Sequence, residues 1–120
     1  MTKQKYDLEE RLLEYSVKII KLVEQLPNTE AGNHIADLLL RLGTSAFPNH
    51  RDAQTTAFSK DFVHKLSIAL KKLMEIKLWL MLIKEVQLID KPDLLNDVLD
   101  ETEELIKIYY LSKNIIESCV

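Results

Sequence analysis

Seven apolar residues, Phe62, Leu66, Ala69, Leu73, Ile76, Leu80 and Ile83, follow one another at steps of four and three without a miss. Such steps bring side chains back to one face of an α-helix, which turns once in about 3.6 residues; a strand, with a period of two, cannot line one face this way. The cadence returns three more times. Leu8, Leu12, Tyr15, Ile19, Leu22 and Leu26 form one seam, and Ile35, Leu38 and Leu42 begin another. Leu95, Val98, Thr102, Leu105, Tyr109, Ser112 and Ile116 form the last. With two glycines and three prolines in 120 residues, the chain lacks the turn formers that an all-β fold needs. A hydrophobic fraction of 47% is ample for a core at this length. The pattern predicts one all-α domain over residues 1–120.

The breaks between seams set the helix boundaries. Pro27-Asn28-Thr29 ends the first helix and supplies Asn28 or Thr29 as N-cap of the second. Pro48 should kink or end the second helix, because it removes a backbone donor and crowds the preceding turn. Ser59 is a good N-cap for the third, and Asp90-Lys91-Pro92 precedes the fourth. The predicted helices cover about 8–26, 30–54, 59–88 and 92–117. Leu13, Ile20 and Val23 are expected to widen the first seam into a full core face. Short connections make antiparallel neighbours, so an up-down-up-down antiparallel four-helix bundle is the simplest closure.

Little in the sequence points to catalysis. The single cysteine, Cys119, rules out an internal disulfide and a Cys-based zinc site. His34, His50 and His64 are scattered, and no Glu-x-x-His pair of the di-iron bundle type is present. There is no glycine-flanked serine elbow and no glycine-rich phosphate loop. The expectation is no enzyme, no cofactor and no metal. The longest apolar run, Leu78 to Ile83, is far short of the roughly 20 residues that span a bilayer. The first residues turn acidic without a signal-like apolar stretch, so no membrane contact and a cytoplasmic location are expected.

Charge is segregated along the chain although the net is only −3. Residues 59–88 carry six lysines against three acids, and residues 90–117 carry eight acids against three lysines. Lys60, Lys65, Lys71 and Lys72 could form a basic strip for nucleic acid. The favoured reading is that the third helix pairs with the acidic fourth, since no aromatics interleave the lysines as base stacking requires.

The second seam turns polar halfway, with Ser45, Asn49 and Asp52 continuing the register of Ile35, Leu38 and Leu42 and Arg41 one turn before Ser45. This line of polar groups is the candidate specific site. It could be a buried network that fixes helix register and subunit number, a polar pocket or pore lining, or surface beyond a kink at Pro48.

Several short motifs are familiar together. Arg41-Leu-Gly-Thr-Ser45, Asn49-x-x-Asp52-Ala53, Ser59-Lys-Asp-Phe-Val-His-Lys-Leu-Ser-Ile-Ala69, Glu75 and Trp79-Leu80 resemble the four-helix-bundle family linked to 23S ribosomal RNA intervening sequences, also called S23 ribosomal proteins. Helix order and lengths resemble that family over nearly the whole chain. The sequence departs from the family pattern at Phe47-Pro48, at His50-Arg51 and at Asp52, where a glutamate is usual. The resemblance implies a left-handed up-and-down bundle that assembles as a homopentamer, and it implies no known activity. A related group, the accessory variability determinants of diversity-generating retroelements, binds nucleic acid and a reverse transcriptase. Those proteins are basic, whereas this chain is not.

The apolar content exceeds what one bundle core can absorb. Six consecutive apolar residues, Leu78 to Ile83, point all round a helix axis. Ile108, Tyr109, Tyr110 and Leu111 similarly leave the last helix little polar side. Surplus of this kind marks a protein interface. Leu78, Trp79, Met81, Ile108, Tyr110 and Leu111 are therefore the interface candidates. The expected function is self-assembly into a scaffold or interaction module, with nucleic-acid binding by an accessory factor as the alternative.

Overall fold

In a computed structural model, which describes residues 4–45 and 60–119, four helices account for most of the described residues. They are α1 (Gln4–Val23), α2 (Glu30–Gly43), α3 (Lys60–Val86) and α4 (Asp93–Cys119). No strand occurs among the described residues. Each helix packs on its neighbours in the chain, and α4 returns to α1, so the four surround one core. Neighbours run in opposite directions. Arg11 meets Glu101 and Lys18 meets Asp97, while His34 meets Trp79 and Ser45 meets Lys72.

Three of the four predicted seams are the core. Leu12, Tyr15, Ile19 and Leu22 from α1 are fully buried. From α3, Leu73, Ile76, Leu80 and Ile83 join them, as do Leu95, Val98, Thr102 and Leu105 from α4. The expected widening of the first seam is different in the structure. Leu13 and Ile20 are exposed, and only Val23 packs against the core.

The second seam needs correction. Its core face is Gly32, Ile35, Leu39 and Gly43, with Leu38 and Leu42 at its edge. The two glycines explain the rotation. A Cβ at Gly43 would lie 2.7 Å from Cγ2 of the buried Ile19, and one at Gly32 would lie 2.1 Å from the Pro27 carbonyl oxygen. Both positions are core positions because they lack a side chain, which lets α2 lie close to α1 and to its own entry loop.

The predicted extension of α2 to residue 54 is also corrected where it can be seen. The helix ends at Gly43, and the Thr44 and Ser45 hydroxyls donate back to the Leu40 and Leu42 carbonyls. The Leu40 carbonyl also accepts the Thr44 amide, and the Ser45 bond satisfies the Leu42 carbonyl that a further turn would otherwise use. Pro48, Asn49, Asp52 and Ser59 lie outside the described residues.

The turns use local chemistry. Thr29 caps α2, its Oγ1 accepting from the Gly32 amide at 3.0 Å, as one of the two expected caps. At the end of α3 the Leu88 amide donates to Ile83 O and the Gln87 amide to Lys84 O, both at 3.2 Å. With Gln87 at φ 60° this is a Schellman stop carrying glutamine where glycine is usual. The α4 ladder begins at Pro92, whose carbonyl accepts from Asn96 at 2.8 Å.

Candidate functional site

The polar line expected on α2 does not assemble among the described residues. Arg41 turns outward and its Nη2 donates to Asp37 Oδ2 at 2.9 Å, a solvent-exposed pair on one face of α2. Ser45, half-buried beyond the helix end, accepts from Lys72 Nζ at 3.3 Å. Arg41 and Ser45 thus serve different neighbours, and Asn49 and Asp52 lie outside the described residues.

The buried polar groups are on the other side of the bundle. The Thr102 hydroxyl donates to the Val98 carbonyl at 2.6 Å, so the Tyr15 hydroxyl, also at 2.6 Å, is the donor between them. Ser16 Oγ donates to the Gly43 carbonyl at 2.9 Å and ties α1 to the end of α2. Outside this layer, Arg11 grips Glu101 through two bonds, at 2.7 and 3.0 Å. Lys18 reaches Asp97 at 2.9 Å, and that bond raises the Lys18 ammonium above its ordinary range. A polar member within an apolar seam, Tyr15 or Thr102, is the sequence signal for this layer.

The lysines do not form one strip. At about 100° per residue, Lys65 and Lys72 lie on the side of α3 toward α2, whereas Lys71 lies on its outer side; the Lys60 side chain is outside what the structure describes. Lys72 is engaged by Ser45, and Lys71 is exposed. The expected pairing of α3 with acidic α4 occurs at Lys77–Glu103, 3.2 Å apart. Arg11 and Lys18 of α1 also pair with acids of α4, Glu101 and Asp97. Ionic ties this exposed are worth little individually.

What stands out is apolar surface. On α3, Met74, Leu78, Met81 and Leu82 are all exposed, Leu78 at 65%. They recur at the spacing of a packing face, on the side away from the core. Tyr110 of α4 is exposed on the side that faces α3, and Leu111 points outward. Two of the expected interface residues do other work. Trp79 is half-buried and meets the His34 ring edge-on, with centroids 6.1 Å apart, and Ile108 packs against the core. Met74 and Leu82 complete the stripe; in the sequence Met74 stands apart from the unbroken apolar run that begins at Leu78.

A second exposed apolar set, Leu13, Val17 and Ile20 on α1 with Leu40 on α2, was hidden in the sequence by its proximity to the first seam. No group of three or more His, Cys, Asp or Glu able to hold a metal occurs among the described residues. Nor is any described helix long and apolar enough to cross a membrane.

Comparison with known proteins accords with this architecture. A family described as 23S rRNA-intervening sequence protein matches residues 4–111. The fold is also similar to a crystal structure of a protein of unknown function from the S23 ribosomal protein family of Bacteroides thetaiotaomicron. That likeness has a TM-score of 0.73 and 31% identity, over 84% of this chain and 93% of that one. No curated protein matches. An all-α bundle with these helices, matched over residues 4–111, belongs to the 23S rRNA-intervening sequence protein family.

Proposed function

We propose that this protein is a non-enzymatic, cytoplasmic, self-assembling helical bundle that acts as a scaffold or interaction module. The observation that carries the reading is the outward stripe of Met74, Leu78, Met81 and Leu82 on α3. A helix whose opposite face already fills the core has no intramolecular use for a second apolar face. Contiguous exposed apolar surface of this kind is stabilised by covering it with protein. The homopentamer is the assembly that the family resemblance implies.

Nucleic-acid binding is the weaker reading, because the α3 lysines divide between two sides and the chain is net acidic. Light scattering on the unmodified protein and on Leu78→Glu tests the assembly. The unmodified protein should be oligomeric and the variant of lower mass with unchanged helicity. Equal masses for the two would argue that α3 takes no part. A gel shift with structured RNA provides the other arm: tight binding that weakens steeply with salt would favour the nucleic-acid reading.

A further inference from the structure

We propose that the groove between α3 and α4, at the end of the bundle where these two helices are joined, binds a basic amphipathic helix of another protein. This goes beyond the self-assembly reading and does not depend on it. The groove runs beside the exposed stripe of α3 and shares only Met81 with it.

Two open depressions make up the groove. One, of about 580 Å³, lies at the α3–α4 turn over Ile83, Ile89, Pro92 and Leu95. The other, of about 460 Å³, lies between Met81 of α3 and Leu99 of α4. Lys84 and Glu85 line both, so the groove is continuous. The contact of Lys77 with Glu103 marks the sides on which the two helices face each other, and Met81 and Lys84 follow Lys77 at one and two turns on that side. Counted along α4, the depressions are centred roughly 10 Å apart, the rise of about seven residues. A helix laid in the groove therefore sets apolar side chains at i and i+7 into the two depressions, the spacing of anchors in helix-in-groove recognition. Two packed helices leave a furrow that seats a third at the ordinary spacing of about 8–10 Å. The flexible thioether of Met81 adapts to the side chain that meets it.

Charge selects the occupant. Four acids, Glu85, Asp90, Asp100 and Glu103, line the groove with two lysines, Lys77 and Lys84. Lys77 and Glu103 neutralise each other at 3.2 Å. Glu85, Asp90 and Asp100 are exposed and form no ion pair among the described residues, which leaves three acids against Lys84. On the flanks Asp93 is offset by Lys91, and Glu104 by Lys107 at 4.0 Å. The rim is therefore acidic by two charges, which attracts lysine and arginine and repels phosphate. The helices of a second copy offer no matching basic face. The exposed charges on α1 are Glu10, Glu14 and Glu24 against Lys21, and Arg41 of α2 is engaged by Asp37. Beside the α3 stripe Lys71 and Lys84 are balanced by Glu75 and Glu85. The complement to this groove is thus a segment of a different protein, apolar on one face and basic at its edges.

The probe is a dye-labelled synthetic helix of about 14 residues, roughly 20 Å long, with leucines at steps of four and three and lysines elsewhere. Its controls are the same composition in scrambled order and the same pattern with glutamate in place of lysine. Fluorescence anisotropy with the full chain should show saturable binding of the patterned basic helix, binding of the scrambled one weaker by about tenfold or more, and none of the glutamate one. Glu85→Lys combined with Asp100→Lys should weaken binding by about tenfold or more at unchanged helicity, since both positions are exposed. On the unmodified protein, hydrogen exchange should show protection by the peptide within residues 81–103. Leu78→Glu lies outside the groove and should bind at least as tightly as the unmodified protein, whatever its oligomeric state, so this proposal and the self-assembly reading fail separately. No binding, equal binding of the ordered and scrambled peptides, protection elsewhere, or indifference to the double charge reversal would overturn the proposal, as would loss of binding in Leu78→Glu. Protection of residues 81–103 that grows with the protein's own concentration would assign the groove to a second copy. Protection of the same residues by structured RNA would assign it to nucleic acid, and either result would overturn the basic-helix occupant.

Discussion

The Tyr15 hydroxyl donates to the Thr102 hydroxyl across the core, from α1 to α4, and both residues are fully buried. Since Thr102 passes its own proton to Val98 O, the order of donors is fixed. Tyr15→Phe removes one satisfied bond and should cost about 0.5–1.5 kcal/mol. Thr102→Val leaves the Tyr15 donor buried without its partner and should cost more, about 1–3 kcal/mol. Urea unfolding of the double variant should show a loss smaller than the sum of the two, the mark of a shared interaction. Strict additivity would mean the bond contributes nothing.

Burial holds the phenols of Tyr15 and Tyr109 protonated well above their ordinary range. At Tyr15 desolvation by burial is the largest cause, and the Glu101 charge adds to it. In the unfolded chain a tyrosine ionises near pH 10. Above that pH the unfolded state holds fewer protons than the folded one, so stability declines as pH rises. The contribution is fully present below about pH 10 and is lost as the pH climbs toward the raised folded values. Denaturation midpoints taken between about pH 9 and pH 11 should fall, and less steeply in Tyr15→Phe.

Helix-interior glycines usually gain up to about 1 kcal/mol on replacement by alanine. Gly43→Ala should do the reverse and cost about 1–3 kcal/mol, because the new methyl meets the stiff, buried side chain of Ile19. Gly32→Ala should be at least as harmful, since the obstacle there is the Pro27 backbone oxygen. Thermal unfolding decides the sign; a gain at either position would contradict the close approach of α2.

How far the sequence anticipates this fold depends on where side-chain size carries the information. On α1, α3 and α4 the large residues at steps of three and four are the buried ones, from Leu12 through Tyr109. On α2 the core is partly made of Gly32 and Gly43, which carry no side chain to read, so apolar spacing points instead to the larger Leu38 and Leu42. The same limit applies to the polar seam, whose register assumed that α2 continues past Gly43. Apolar surplus was legible as continuous runs, but periodicity alone could not separate Leu78 from Trp79, because the contact with His34 depends on a helix distant in sequence.

Gln87 adopts a left-handed backbone at the end of α3, a conformation that strains a residue with a Cβ. Gln87→Gly should therefore raise stability by about 0.5–1 kcal/mol while leaving the Schellman bonds in place. A measured loss would indicate that the Gln87 side chain contributes more than its backbone costs.

Core and surface leucines on α3 should respond in opposite ways. Leu73→Ala opens a cavity in a fully buried position and should cost about 2–5 kcal/mol of folding stability. Leu78→Ala removes an exposed side chain and should change the stability of the dissociated chain by less than about 0.5 kcal/mol, while weakening association. Unfolding measured under dissociating dilution, together with the association constant, separates the two effects.

The most direct test of self-assembly is a sedimentation-velocity dilution series on the unmodified protein, from high to low micromolar concentration. Covering the α3 stripe with a second copy predicts a single oligomeric boundary that persists at low micromolar concentration. A boundary with the mass of one chain throughout would contradict it.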